Sequence, residues 1–227
     1  MNSTDSQATE EAIMSVAVIG TGNIGTRVAR RLAEGGVEVT VAASSLDGAQ
    51  EAAGKIGSGV SASGVADAIK SADAVVFATW FPVTQQLLAD NVTALQGKIV
   101  VDPSNNVAPD GDGFKSLNPE GVSAGRQLAD LAPGARFVKA FGTVGADSLD
   151  VARTEGGERV ALYYATDDQA AGDAVADLIA KGGWAAVRAG GVDDSGRIEV
   201  FGDLHQFGGL NGRLLSEDEA RQAVAKP

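Results

Sequence analysis

The chain contains no cysteine, which rules out disulfides, thiolate metal sites and a cysteine nucleophile and fits a cytoplasmic protein. Histidine is almost as scarce. His205 stands alone, so a metal site built from several histidines is excluded, and a serine–histidine–aspartate triad would depend on that one residue. Aromatic residues make up only 5% of the composition. Basic residues are outnumbered, 18 against 30 acidic, for a net charge of −12. A chain without a basic footprint is a poor partner for nucleic acid. No apolar run reaches the roughly 18–20 residues of a membrane span. Met1 to Glu11 has neither the basic nor the apolar region of a secretory signal, and residues 1–12 are read as a disordered tail.

What is present is an alternation of short apolar runs and amphipathic stretches. Ser15-Val16-Ala17-Val18-Ile19 is continuous, β-branched and closed by glycine, as a parallel strand covered on both faces should be. A helix is expected from Asn23 to Glu34, ended by Gly35-Gly36. Further strands are expected at 37–42, 74–79, 98–102, 136–140, 159–165 and 184–188. Helices are expected at 46–56, 65–70, from Pro82 to 90, from a Ser123 cap to 131, and at 168–181. Residues 103–121, rich in Pro, Gly, Asn and Asp, read as one long loop. Residues 198–225 read as helix interrupted by Gly208, Gly209 and Gly212. Strands alternating with helices predict an α/β protein with a Rossmann-type, doubly wound parallel sheet. The expected organisation is a dinucleotide-binding domain over 13–145 and a small α/β C-terminal cap over 146–227.

Gly20-Thr21-Gly22-Asn23-Ile24-Gly25 matches G-x-G-x-x-G. The pattern alone is weak in a chain with 30 glycines, but here it follows a buried strand and opens a helix. The first glycine allows the tight turn, the second admits the pyrophosphate and the third lets helix and strand approach. NAD-binding units place an acidic residue about 20 positions further on, against the ribose 2′-hydroxyl. That place reads Ala42-Ala43-Ser44-Ser45, with no carboxylate before Asp47. NADP(H) is therefore expected over NAD. Ser44 and Ser45 serve either as donors to the 2′-phosphate or as the cap of the next helix.

Four segments together resemble one family: Val18 to Gly25, Ala72 to Trp80, Lys98 to Pro103 and Val138 to Thr143. In this order they are similar to the NADP oxidoreductases that use the deazaflavin coenzyme F-420, over roughly residues 15–205. The resemblance implies hydride transfer between NADP(H) and a deazaflavin, a small-molecule acceptor or donor, and a homodimer. It implies that Thr21, Asn23 and Ile24 contact the pyrophosphate and ribose, and that Thr79, Trp80, Phe81 and Pro82 lie near the nicotinamide. It further implies that the Asp102–Asn106 turn with Asn105, and Phe141, Gly142, Thr143 and Val144, line the pocket of the second substrate. Relatives commonly carry Ser-Arg at the end of the second strand, where this chain has Ala43-Ser44.

His205 is the candidate acid/base, weighed against a polar residue on a surface helix. Trp80 and Phe81 suit a stacking wall, or a core or dimer contact. Lys139, in an otherwise apolar strand, must be paired, with Asp102 as the candidate, or hold an anion. Arg126, Arg136 and Arg153 are candidates for a local basic patch. Tyr163-Tyr164 lacks the lysine four residues on that a short-chain dehydrogenase requires. Two functions stand beside deazaflavin-linked hydride transfer: NADPH-dependent reduction of a small carbonyl or imine, and a non-catalytic NADP(H) sensor. No metal is expected.

Overall fold

The computed structural model describes residues 15–57, 59–111 and 113–226, so the expected N-terminal tail at 1–12 lies outside the described residues. Its framework is β1 (Ser15–Ile19), α1 (Asn23–Glu34), β2 (Glu38–Ala42), α2 (Leu46–Ile56), β3 (Val60–Ala62), α3 (Val65–Ser71), β4 (Ala74–Phe77), α4 (Phe81–Asp90) and β5 (Ile99–Asp102). A hairpin, β6 (Val107–Asp110) and β7 (Gly113–Ser116), precedes α5 (Ala124–Ala129) and β8 (Arg136–Ala140). The chain closes with β9 (Ala161–Ala165), α6 (Gln169–Lys181), β10 (Ala185–Gly190) and α7 (Glu217–Val224).

The main sheet runs β10-β9-β8-β5-β4-β1-β2-β3. From β3 to β8 all pairings are parallel, which is the doubly wound Rossmann arrangement. β9 joins β8 antiparallel and β10 follows β9 in parallel. The strands beyond residue 145 thus extend the same sheet rather than forming another.

Alternation within each strand feeds two apolar layers. Val16 and Val18 pack with Val28 and Leu32 of α1 and Val175 of α6. Ala17, Ile19, Val75 and Phe77 pack on the other face with Ile69, Leu88 and Leu128. Both faces being covered is why these strands read as unbroken apolar runs.

Two expectations are corrected. Residues 103–121 are not one loop, because Asp110-Gly111 turns β6 back onto β7, with Gly111 at φ 59°. Residues 198–225 are not an interrupted helix. Only α7 is helical there, and before it lies a strap of turns. Beside three-residue turns, some of its backbone bonds span six or seven residues, as in Leu204 N–H to Arg197 C=O, Gly209 to Gly202 and Gly212 to Gln206. A Cβ at Gly208 or Gly209 would lie 2.0 or 2.4 Å from a neighbouring carbonyl oxygen. The glycines let the strap pack backbone on backbone, which a regular helix cannot do.

Candidate active site

The strand order reverses between β1 and β4, and open α/β sheets bind ligands in the crevice at that point. Here the C-terminal ends of β1, β4, β5 and β8 open into a cavity of about 870 Å³. Its size falls in the usual range for ligand sites. Gly20 turns off β1 with φ 103°, its N–H held by Ala42 C=O at 2.8 Å. A Cβ at Gly20 would lie 2.4 Å from Ala78 O, and one at Gly25 would lie 1.9 Å from Gly20 O. Those two glycines are required by packing. Gly22 is different: it faces the cavity, and a Cβ there would meet nothing within 4 Å. Gly22 also stands at the start of α1, where no side chain caps the helix and no acidic residue occupies the first turn. Open backbone N–H groups and the positive helix end then face open space, as a pyrophosphate needs. The residues present fit a dinucleotide.

The opposite wall comes from the strap. Val200, Phe201, His205 and Phe207 line the cavity there. A network of backbone and side-chain bonds sets their positions. Asn105, after β5, accepts from Val200 N–H at 2.7 Å and donates to Gly142 C=O at 3.4 Å. The turn carrying Asn105 is itself fixed by Lys139. The Lys139 ammonium pairs with Asp102 at 2.5 Å and also donates to the Ser104 carbonyl, while Asp102 accepts from Ser104 N–H at 2.9 Å. Both side chains of the ion pair are buried. The lysine in an apolar strand is therefore a structural tie under the cavity floor. Above it, the Ser104 hydroxyl is buried at the cavity without a hydrogen-bond partner.

Among the described residues, His205 is the single titratable side chain lining the cavity. Burial pushes its pKa down to about 4, with a smaller contribution from the Lys139 charge, against a hydrogen bond to the Gly142 backbone. Its Nδ1 accepts from Phe207 N–H at 3.0 Å. The imidazole is thus neutral near pH 7, with Nδ1 tied to the backbone. It is a buried residue of the strap, not a surface helix.

The cavity brings together Gly20, Gly22, Asn23 and Ile24 with Thr79, Trp80, Phe81, Asn105, Gly142, Val144 and His205. Thr21, Gly25, Pro82, Phe141 and Thr143 are not among its lining residues. Phe141 is fully buried, edge-on to Trp184. Ser44 and Ser45 lie exposed past β2, outside the lining, and Ser45 caps α2 by accepting from Gly48 N–H at 3.1 Å. The candidate arginines do not converge on the cavity. Arg126 engages Asp167 and Asp193 at 2.9 and 2.7 Å, Arg136 engages Asp168 at 2.8 Å, and Arg153 donates to Gly157 C=O. Sequence reasoning missed Phe114, Val200, Phe201 and Phe207. An aromatic residue beside glycine in a polar stretch, as in Phe201-Gly202 and Phe207-Gly208, was the one available signal.

A Rossmann sheet whose switch point carries this glycine turn, an uncapped helix end and an adjoining apolar cavity defines a dinucleotide site with room for a second substrate; similarity to known proteins makes it that of an NADP-dependent oxidoreductase, with its acceptor left open. Residues 15–106 match the family described as NADP oxidoreductase, coenzyme F-420-dependent, a stretch that holds the first three of the four motifs and ends before Val138 to Thr143. A hypothetical protein from Sinorhizobium meliloti is 27% identical, with a TM-score of 0.78, over 91% of this chain and 97% of its own. A candidate F-420-dependent NADP reductase from an Arthrobacter species is also 27% identical, with a TM-score of 0.69, over 79% of this chain and 86% of its own. An imine reductase from Bacillus cereus, 23% identical with a TM-score of 0.60, shares the fold over 79% of this chain and 56% of its own. No curated protein matches the chain. Among the described residues no helix is long and apolar enough to cross a membrane.

Proposed function

We propose that the chain transfers a hydride between NADP(H) and a planar deazaflavin of the coenzyme F-420 type. The observation that carries this reading is the chemistry of the cavity wall. Apolar and backbone groups dominate it, and among the described residues it offers no carboxylate, lysine, arginine or tyrosine. NADP(H), when bound, gives or takes a hydride at the nicotinamide C4. The balance is one hydride between two carbon centres, with one proton exchanged between solvent and a ring heteroatom. The chain need then supply only geometry and exclusion of water.

The residues divide along the cavity. Gly22 and the first turn of α1 hold the pyrophosphate. Thr79 and Trp80, after β4, border the nicotinamide end; the Thr79 hydroxyl is within 2.7 Å of the Thr84 hydroxyl and so is fixed. Asn105, Gly142 and the strap enclose the second ring. The proposal carries with it the homodimer that the family resemblance implies and the cytoplasmic setting that a chain without cysteine fits.

Reduction of a small carbonyl or imine would need a proton donor, and His205, buried, neutral and with Nδ1 taken by the Phe207 N–H, is poorly suited to be one. Two experiments separate the readings. NADPH and oxidised deazaflavin coenzyme are mixed with the protein and the visible band of the coenzyme is followed. Bleaching at a rate proportional to enzyme supports the proposal. The same assay is run on His205→Gln at a temperature where it remains folded, and turnover within a few-fold of the parent is expected. A deazaflavin that is never reduced, together with imine reduction that His205→Gln abolishes, would overturn the proposal.

A further inference from the structure

The chain has eleven aromatic residues among 227, counted as seven Phe, two Trp and two Tyr. Seven of them are buried in the core. The other four, Trp80, Phe114, Phe201 and Phe207, are exposed, and all four line the one cavity that the glycine turn opens into. Exposed apolar rings scattered singly need no explanation, but a set gathered at one cavity does.

Phe201 stands apart within that set. It has φ 75°, in the left-handed region where a bulky side chain is an outlier. The surroundings impose that conformation. Val200 N–H is held by Asn105, and Gly202 N–H donates to Glu199 C=O at 2.8 Å across the turn. The Glu199 carboxylate is itself buried, accepting from the backbone of Ala124 and Gly125 at 2.9 Å each. The result is a phenyl ring left 49% exposed at the cavity, on a backbone strained and bolted at both neighbours. Strain of this kind persists where the surroundings over-determine it, and it clusters at ligand sites. A residue selected only for the turn would be glycine or asparagine.

We infer that Phe201 is a specificity-determining residue: its ring, preset by the backbone, stacks the second substrate and selects polycyclic planar rings over small carbonyls or imines. This rests on the hydride-transfer reading for the identity of the reaction, but not for the binding. A backbone fixed before binding leaves only the two side-chain torsions to be ordered when the ring stacks, so planar ligands gain and small ones, which cannot span the cavity to reach it, do not. Because the lining carries no lysine or arginine among the described residues, recognition falls on the ring system itself.

The test uses 5-deazariboflavin, a neutral planar ring without an acidic tail, titrated into the full chain with NADP⁺ present and followed by its fluorescence. Phe201→Ala should weaken binding about tenfold, the scale of one aromatic stack with its buried area. NADPH affinity should stay within twofold. Phe201→Trp should retain the affinity. Phe201→Gly should lose it as alanine does yet melt at a higher temperature than the parent, since the left-handed strain is gone. That combination is one a merely structural role would not produce. Parent protein that fails to bind the ring, or Phe201→Ala and Phe201→Gly that bind it as the parent does, overturns the inference. So does a variant whose only change is loss of self-association in sedimentation, because Phe201 would then face a second copy. Ring binding that depends on Phe201 without any hydride transfer would sink the proposed reaction and leave this assignment standing.

Discussion

At the scale of single residues, the three glycines of the turn are separable by what surrounds them. Gly25→Ala would place a Cβ 1.9 Å from the Gly20 carbonyl oxygen, which forces α1 off the sheet. Overpacking of this kind costs about 1–3 kcal/mol, so a clear fall in melting temperature is expected with lost NADPH binding as its consequence. Gly22→Ala meets nothing within 4 Å and has an ordinary φ of −78°. Its fold should be unharmed, or stabilised by about 0.4–1 kcal/mol. The new methyl would sit where the pyrophosphate must approach, so NADPH affinity should fall at least tenfold by calorimetry. If Gly22→Ala binds NADPH as the parent does, the phosphate is not held at this turn. His205 makes a second residue-level prediction. Burial holds its pKa at about 4, below the 6.5 of an exposed imidazole. Between those values the unfolded chain binds a proton that the folded chain refuses, so stability rises with pH across the window and is lost as pH falls through it. From pH 7 to pH 5 the loss should be on the order of 2 kcal/mol for the parent, and His205→Gln should lack that increment. Parallel urea melts at the two pH values measure it; identical slopes in both proteins would show that the imidazole is not buried neutral.

At the scale of elements, burial decided what could be read in advance. β1, β4 and β5 are covered on both faces, so each is an apolar run that needs no partner to be recognised. α1 and α6 carry apolar stripes ended by glycine, and their bounds were legible to within a residue or two. β3 was missed because three half-exposed residues at a sheet edge carry no pattern. The β6–β7 hairpin hid in composition typical of loops, although Asp110-Gly111 is a turn signal between paired strands. The strap was misread because its glycines serve close packing, which has no period in sequence. The site divided in the same way. Its phosphate end is local and was visible as a motif, whereas its aromatic wall joins residues 80, 114, 201 and 207, and only the fold brings these together. Glu199 is the element-level joint in that wall. Besides the two α5 amides it accepts from Asn118 Nδ2 at 2.9 Å and from the Ser195 hydroxyl at 3.2 Å. Glu199→Gln would turn part of this acceptor set into a donor facing donors, at a cost of about 1–3 kcal/mol. Hydrogen exchange at Ala124, Gly125 and the strap should quicken, and planar-ring affinity should fall while NADPH affinity holds. Unchanged exchange in the strap would mean that Glu199 caps α5 without anchoring the cavity wall.

At the scale of the whole molecule, a chain of net charge −12 must admit an anionic dinucleotide. Locally nothing opposes it. Among the described residues the cavity lining holds no aspartate or glutamate, α1 presents its positive end, and Arg27 near that end is already matched by Asp147 and Asp150 at 2.5 and 2.9 Å. The repulsion is therefore long-ranged and acts on the approach, not on the bound state. Such fields are screened by salt, with a Debye length of about 30 Å at 0.01 M falling to about 8 Å at 0.15 M. The association rate of NADPH should accordingly rise a few-fold as salt is added over that range, and the dissociation rate should barely move. Stopped-flow quenching of protein fluorescence gives both rates. A basic patch that steers the cofactor would produce the opposite trend, with association slowing as salt rises. That result would place cations at the cavity mouth, supplied by a second copy of the chain, since the lining itself carries none.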